Sequence, residues 1–249
     1  MKKLILPSLL SLASLTTVNA TLFNGNGLTG FGDVIGNGSL ELTDNGTTLS
    51  GTITRGASNF NDAVVIYIDS VAGGFTGTGT MSDTADKLRS SISYGTGGAI
   101  NFTSGFQADY AIALAPNGPT NDINFGGLWQ LDATSHSFVQ SVNLNSSPNT
   151  GSDPGGVPGD ATFTFDFDFS EIGLGGPSSF NFVAVYMNPD NQFLSNEAIG
   201  VTGGFTGANP GSDATVSLEG SATYVPEPGS YALLLGLSAV SFVIIRRKR

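Results

Sequence analysis

Cysteine is absent from the 249 residues, and histidine and tryptophan occur once each, as His136 and Trp129. Without thiols there is no disulfide framework and no thiolate chemistry. With a single imidazole, zinc sites built on His and Cys are excluded by count. A Ser-His-Asp arrangement would have to pass through His136. That residue sits in Asp132-Ala133-Thr134-Ser135-His136-Ser137, which has no nucleophile-elbow pattern, so it reads as a solvent-facing turn residue. Cations are scarce as well. Six of the nine Lys and Arg lie at the two ends, leaving only Arg55, Lys87 and Arg89 among the 20 acids between Asp33 and Glu227, a net of −17. Such a surface repels phosphate backbones, which makes nucleic acid a poor partner. No Gly-rich loop opens a helix with a Lys, so no phosphate cradle is expected.

Glycine is abundant, 35 of 249 residues, about twice its usual ~7%. Together with 11 prolines it still stays below the ~25–30% typical of disorder. A folded, turn-rich β domain follows. Period-two alternation recurs between Gly, Asn, Asp and Pro clusters, as antiparallel strands with one buried face require. Ser39 to Thr43 and Thr47 to Arg55 flank the turn Asp44-Asn45-Gly46 and predict a hairpin. Ala63 to Ile68 is apolar at every position and ends at Asp69-Ser70, the pattern of a central strand covered on both faces. In Thr162 to Phe169 four phenylalanines share one face, and Thr162, Thr164, Asp166 and Asp168 share the other. Further strands are expected over Ser91 to Tyr94, Tyr110 to Ala115, Leu128 to Leu131, Phe138 to Leu144, Phe180 to Met187, Ala198 to Val201 and Ala214 to Val225. The one helix expected is a short one near Asp83 to Ser90, too little for βαβ crossovers. The fold class is all-β, an antiparallel two-sheet sandwich in two layers. Asn145 to Asp160, with four glycines and three prolines, reads as a long surface loop within one domain. Gly73-Gly74-Phe75-Thr76-Gly77 recurs as Gly203-Gly204-Phe205-Thr206-Gly207, which reads as repeated turn chemistry with an anchoring Phe.

The two ends differ from this domain. Lys2-Lys3, an apolar stretch from Leu4 to Val18, and Val18-Asn19-Ala20 form the three regions of a secretory signal peptide, residues 1–20, with cleavage by signal peptidase expected between Ala20 and Thr21. At the other end, the 17 residues from Gly229 to Ile245 carry no charge, at the short end of the ~17–25 that span a bilayer as a transmembrane helix. Arg246, Arg247, Lys248 and Arg249 follow, a basic cluster that stays cytoplasmic and so places the body of the chain across the membrane. On the exported side Val225, Pro226, Glu227 and Pro228 form an extended stretch, because proline removes backbone donors and holds its neighbour out of the helical region. The domain is therefore residues 21–225 and the tail residues 226–249.

This tripartite tail closely resembles the PEP-CTERM sorting signal of Gram-negative bacteria. The resemblance covers the Pro-Glu-Pro core at Pro226, Glu227 and Pro228, the single apolar span and the basic end. It implies an exosortase as partner, a precursor held transiently in the inner membrane, and a mature protein at the cell surface or outside, associated with exopolysaccharide. The stretches Val64 to Asp69 with Gly73-Gly74, Ala108 to Ile112, and Phe163 to Leu174 resemble DOMON-like and family 9 carbohydrate-binding β-sandwiches. That resemblance implies a jelly-roll-like sandwich with sugar or calcium binding.

Carboxylates are the remaining chemical currency. Asp166 and Asp168 lie two apart on one strand face, their α-carbons ~6–7 Å apart. They read first as a hydrated polar face, second as a calcium site of hard oxygen ligands, and last as the pair of a polysaccharide-active enzyme, a glycoside hydrolase or lyase. An open strand face gives no burial to split their pKa values. Asp69 ends a central strand before a Gly-rich turn, where it caps the turn or meets a ligand. Trp129 reads as half-buried in the sandwich, with an exposed stacking plate for a sugar ring as the second reading. The function expected is a non-enzymatic surface or matrix protein, structural or adhesive, with Asp69, Trp129, Asp166 and Asp168 as candidate ligand or calcium residues. No cofactor is expected beyond candidate calcium.

Overall fold

Fourteen strands follow one another along the described chain: β1 (Ala20–Asn24), β2 (Ser39–Asp44), β3 (Thr48–Thr54), β4 (Ala63–Asp69), β5 (Ala99–Phe102), β6 (Tyr110–Ala115) and β7 (Phe125–Leu131), then β8 (His136–Ser141), β9 (Asn143–Asn145), β10 (Thr162–Asp168), β11 (Phe180–Asn188), β12 (Phe193–Ile199), β13 (Thr215–Leu218) and β14 (Ala222–Tyr224). An α-helix, α1 (Lys87–Ser93), and a 3-10 turn at Phe169–Ile172 also lie among the described residues. This computed structural model describes residues 20–78, 81, 83–93, 99–102, 105–115, 125–132, 134–145, 162–190, 193–201 and 215–226. The expected signal peptide up to residue 19, the apolar span, the basic end, loop positions 146–160 and the second Gly-Gly-Phe-Thr-Gly copy lie outside the described residues. Among the described residues no helix is long and apolar enough to cross a membrane.

The protein is all-β and its two large sheets are antiparallel. A five-stranded sheet runs β1-β2-β3-β10-β9, and a seven-stranded sheet runs β12-β11-β4-β6-β7-β8 with β14 also paired to β11. Alternation sets which face each sheet buries. Leu40, Leu42, Leu49, Ile53, Phe165 and Phe167 from the first sheet meet Val64, Ile66, Ile68, Ile112, Phe180 and Phe182 from the second in one continuous core. The predicted hairpin forms as expected, with Asp44 and Leu49 paired across the turn. Its Asp44 carboxyl accepts the Gly46 N–H at 3.0 Å. Of the expected row of phenylalanines, Phe165, Phe167 and Phe169 are buried. The Phe165 ring takes its space from Gly51 on the neighbouring strand, where an added Cβ would stand 2.3 Å from the ring.

The second cover that the apolar run of β4 implied is a third layer on the other face of the seven-stranded sheet, which the two-layer expectation did not include. Val65, Tyr67, Ala111, Ala113, Val183 and Val185 pack there against Leu88 and Ile92 of α1. Ile100 and Phe102 of β5, with Val216 and Leu218 of β13, join them as a parallel pair. This cover is why β4 reads apolar at six consecutive positions. Several expectations are corrected. Residues 91–93 are the last turn of α1 rather than a strand, because Leu88 and Ile92 are four apart and share one helix face. Phe138 to Leu144 is two strands, β8 in one sheet and β9 in the other. Ala214 to Val225 is also two strands, broken at Gly220, whose φ of 79° is left-handed. Strands β1 and β5 lacked a sequence signal long enough to be seen.

The closure between the sheets has a polar centre at β12. Glu197 of β12 is fully buried, and its carboxyl oxygens accept the backbone N–H groups of Phe31 (2.7 Å), Asp33 (3.2 Å), Val34 (2.6 Å), Ile35 (2.8 Å) and Gly36 (3.3 Å). Those donors belong to the loop between β1 and β2. We predict that Glu197→Gln, which replaces an acceptor oxygen by a donor facing these N–H groups, lowers the unfolding free energy by about 2–4 kcal/mol, measured by urea titration. A loss below about 1 kcal/mol would contradict this account. Gly51→Ala should destabilise by about 1–3 kcal/mol through overpacking against Phe165; an unchanged denaturation midpoint would show that the ring can move aside.

Candidate functional site

Strand β4 leaves its apolar run at Asp69, and the neighbouring strands supply polar partners in register. Asp69 lies opposite Asn181 of β11, and Asn181 lies opposite Thr223 of β14. Side chains directly opposite across adjacent strands share a face, so the three form a row. Its order is fixed by hydrogen bonds: the Thr223 hydroxyl donates to Asn181 Oδ1 at 2.7 Å, and the Asn181 amide donates to Asp69. The backbone N–H of Gln107 also donates to Asp69 Oδ2, at 3.4 Å. Asp69, Asn181 and Thr223 line a surface cleft of about 350 Å³, together with Ser70, Val71 and Ser179.

The cleft floor is the turn after β4, and a second carboxyl holds it. Asp109 is buried and its Oδ2 accepts the N–H groups of Ser70 and Val71, both at 2.9 Å. The Ser70 hydroxyl donates to the Ile172 carbonyl at 2.7 Å, tying the turn to the 3-10 segment. Beyond it the chain turns through Gly74 at a φ of 85°, and an added Cβ there would lie 2.5 Å from the Gln107 carbonyl oxygen. Phe75 then anchors the turn in the second core, as expected for the first Gly-Gly-Phe-Thr-Gly copy. Partial burial is the main force raising the Asp69 pKa, with nearby Asp109 adding to it and the Gln107 and Asn181 donors opposing it.

The other sequence-named residues lie elsewhere. Asp166 and Asp168 are on the outer face of the five-stranded sheet, opposite Ser50 and Thr48. The Thr48 hydroxyl donates to Asp168 at 2.8 Å, and the Asp168 N–H donates to Glu171 at 2.7 Å. Among the described residues no three His, Asp or Glu side chains converge as a metal site needs. Trp129 is 2% exposed, so it is neither half-buried nor a stacking plate for a sugar. Its ring meets Phe138 edge-on at 5.6 Å, and its Nε1 has no partner among the described residues. His136 is also corrected: it is 8% exposed rather than solvent-facing. The Asp132 carboxyl takes up the turn before it, accepting from Thr134 and Ser135.

His136 Nε2 lies 3.0 Å from Ser93 Oγ, a pair that a triad would require. The Ser93 proton is committed to the Asp83 carbonyl at 2.8 Å, so Nε2–H is the donor in that contact. Ser93 is fully buried, and Nδ1 of the ring meets no acceptor or donor among the described residues. Burial lowers the His136 pKa, opposed by Asp83. The arrangement packs a helix end and offers no nucleophile. Val225 is exposed and Pro226 half-buried at the end of β14, whereas Glu227 and Pro228 lie outside the described residues. Ala20 and Thr21 stand within β1, paired with Thr43 and Leu42.

Asn181, Thr223 and Asp109 were not singled out in the sequence. Asn181 carried a usable signal, a polar residue between Phe180 and Phe182; Thr223 carried none, since its role depends on β14 reaching β11. A separate half-buried carboxyl, Asp62, has its pKa raised to about 6, by desolvation first and then by Asp190, against Lys87 and the Asn188 amide. Its folded pKa exceeds the unfolded value of 3.8, so the folded state holds the extra proton and stability falls as pH rises between these two values. Asp62→Asn should flatten that part of a melting-temperature profile; an unchanged slope would place the source elsewhere.

No protein-family model matches the chain, and neither a curated protein nor a solved structure matches it.

Proposed function

We propose that this chain is an exported, non-enzymatic surface or matrix protein whose domain binds extracellular polysaccharide through the Asp69 cleft. The observation carrying this reading is the Asp69–Asn181–Thr223 row, a carboxyl, an amide and a hydroxyl in one open cleft. Such groups exchange hydrogen bonds with ring hydroxyls, and a cleft of this size holds a ligand of one or two sugar units. The jelly-roll-like reading of the sandwich is supported by the chain passing between sheets from β3 to β4, β8 to β9 and β10 to β11. The carboxylate-enzyme alternative loses ground because Asp166 and Asp168 stand on an open sheet face.

Export rests on the terminal segments. Signal peptidase would act before folding, since the Ala20–Thr21 bond lies inside a paired strand. Exosortase would act at Pro226 to Pro228, just past Tyr224, whose ring is buried and whose hydroxyl bonds Asp44. The cut therefore leaves β14 with the domain. Expression of the full chain in an exosortase-bearing Gram-negative host, followed by intact mass, should give a species beginning at Thr21 and ending shortly after Tyr224, outside the cytoplasm. A cytosolic protein with both ends intact would refute the address.

A further inference from the structure

We infer that the Asp69 cleft selects a cationic, hydroxyl-bearing ligand, an amino sugar with a free ammonium group, and that Asp69 is its counter-ion. This rests on the glycan-binding reading of the cleft and narrows it to one charge class. The first argument is the placement of the domain's few cations. Lys87 pairs with Asp190 at 3.1 Å, and Arg89 with Asp83 at 3.7 Å and Asp86 at 3.2 Å, all around α1. Arg55 donates to the carbonyls of Gly56, Ala57 and Ser58. None of the three lines the cleft. A uronate, sulfate or phosphate group would therefore face Asp69, with Asp109 behind it, and no compensating charge.

The second argument is the donor and acceptor balance. Asp69 has two donors, Gln107 N–H and the Asn181 amide, for a carboxylate with about four acceptor positions. Asn181 Oδ1 and the Thr223 proton are already paired with each other, and the Ser70 proton is given to Ile172. What the cleft has left to offer is mainly acceptor capacity, on Asp69 and on the oxygens of Thr223 and Ser179. An ammonium group brings three donors and no acceptor. A bare divalent ion fits less well, because the cleft wall carries one carboxyl where calcium takes six to eight oxygens. The raised Asp69 pKa has the same sense: burial and Asp109 disfavour its charge, and a cation beside it would favour the charged form against them. Val71 gives the apolar face of a sugar ring a surface to lie on; an amine without a ring would not use it.

The test is titration calorimetry of the full chain with four probes: fully deacetylated chitotetraose, its N-acetylated form, tetragalacturonate and tetralysine, at mildly acid pH and moderate salt. The deacetylated tetramer should bind at least about tenfold more tightly than each of the others, a charge-assisted hydrogen bond's worth of preference. Asp69→Asn should lose that factor, and Thr223→Val, which leaves the charge unchanged, should weaken binding through the loosened Asn181. Asp166→Asn removes the same charge from the outer sheet face and should change affinity less than about threefold. Equal losses in Asp69→Asn and Asp166→Asn would reduce the effect to general attraction and overturn the inference. Equal binding of the acetylated tetramer, lost in Asp69→Asn, would overturn the charge class but keep the glycan cleft. Equal binding of tetralysine would overturn the sugar. Binding of no oligosaccharide would overturn the glycan-binding reading itself.

Discussion

The sandwich is closed by a buried carboxyl group. Glu197 sits on β12 of the seven-stranded sheet, while its five backbone donors, Phe31, Asp33, Val34, Ile35 and Gly36, lie on the loop that joins β1 to β2 of the other sheet. Irregular backbone inside a protein carries N–H groups that neither strand nor water can satisfy, and each unsatisfied one is costly. One side chain with two acceptor oxygens answers most of that requirement at once. Its neighbours reinforce the join: Asn26 donates from its backbone to Ala198 and from its amide to Asn196. Gly36 is a necessity there, since an added Cβ would stand 1.6 Å from the Leu28 carbonyl oxygen.

A second polar join works at the C-terminal strand. The Tyr224 ring packs 5.2 Å from Phe180 and its hydroxyl bonds Asp44, so β14 is held by the core, by β11 and by the far sheet together. Because Thr223 is on that strand, the same packing that secures the end of the domain also places the outer wall of the Asp69 cleft. Asp109 does the corresponding work on the floor. The cleft is thus built by residues whose first effect is structural. This is why it presents a defined row of groups instead of a mobile loop.

Local pattern made much of the fold legible. The hairpin around Asp44-Asn45-Gly46 was readable because turn chemistry is local, and the Phe165, Phe167 and Phe169 face because a strand alternates with period two. Short pieces were legible only in part. The short helix expected near Asp83 to Ser90 is α1, but its last turn read as a strand, because seven residues are fewer than the window in which helical and strand periods separate. Strand β5 is four residues long and pairs with β13, more than a hundred positions away. His136 and Trp129 were misjudged for the same reason: polar flanking residues describe the turn, and burial is decided by α1 and Phe138, which local sequence does not reveal.

Residue type and order by themselves determined a β-rich, cysteine-free domain with almost no cations, and marked Asp69 as the polar end of a covered strand. Those properties are sums or short-range periodicities, which need no knowledge of what packs where. Only the tertiary structure decided that Asn181 and Thr223 stand beside Asp69, that Asp109 holds the turn beneath them, and that Asp166 and Asp168 stay apart on another sheet face. Register across β4, β11 and β14 brings together positions more than a hundred residues apart. That register follows from burying one face of each strand in a common core, a collective choice that no single segment encodes.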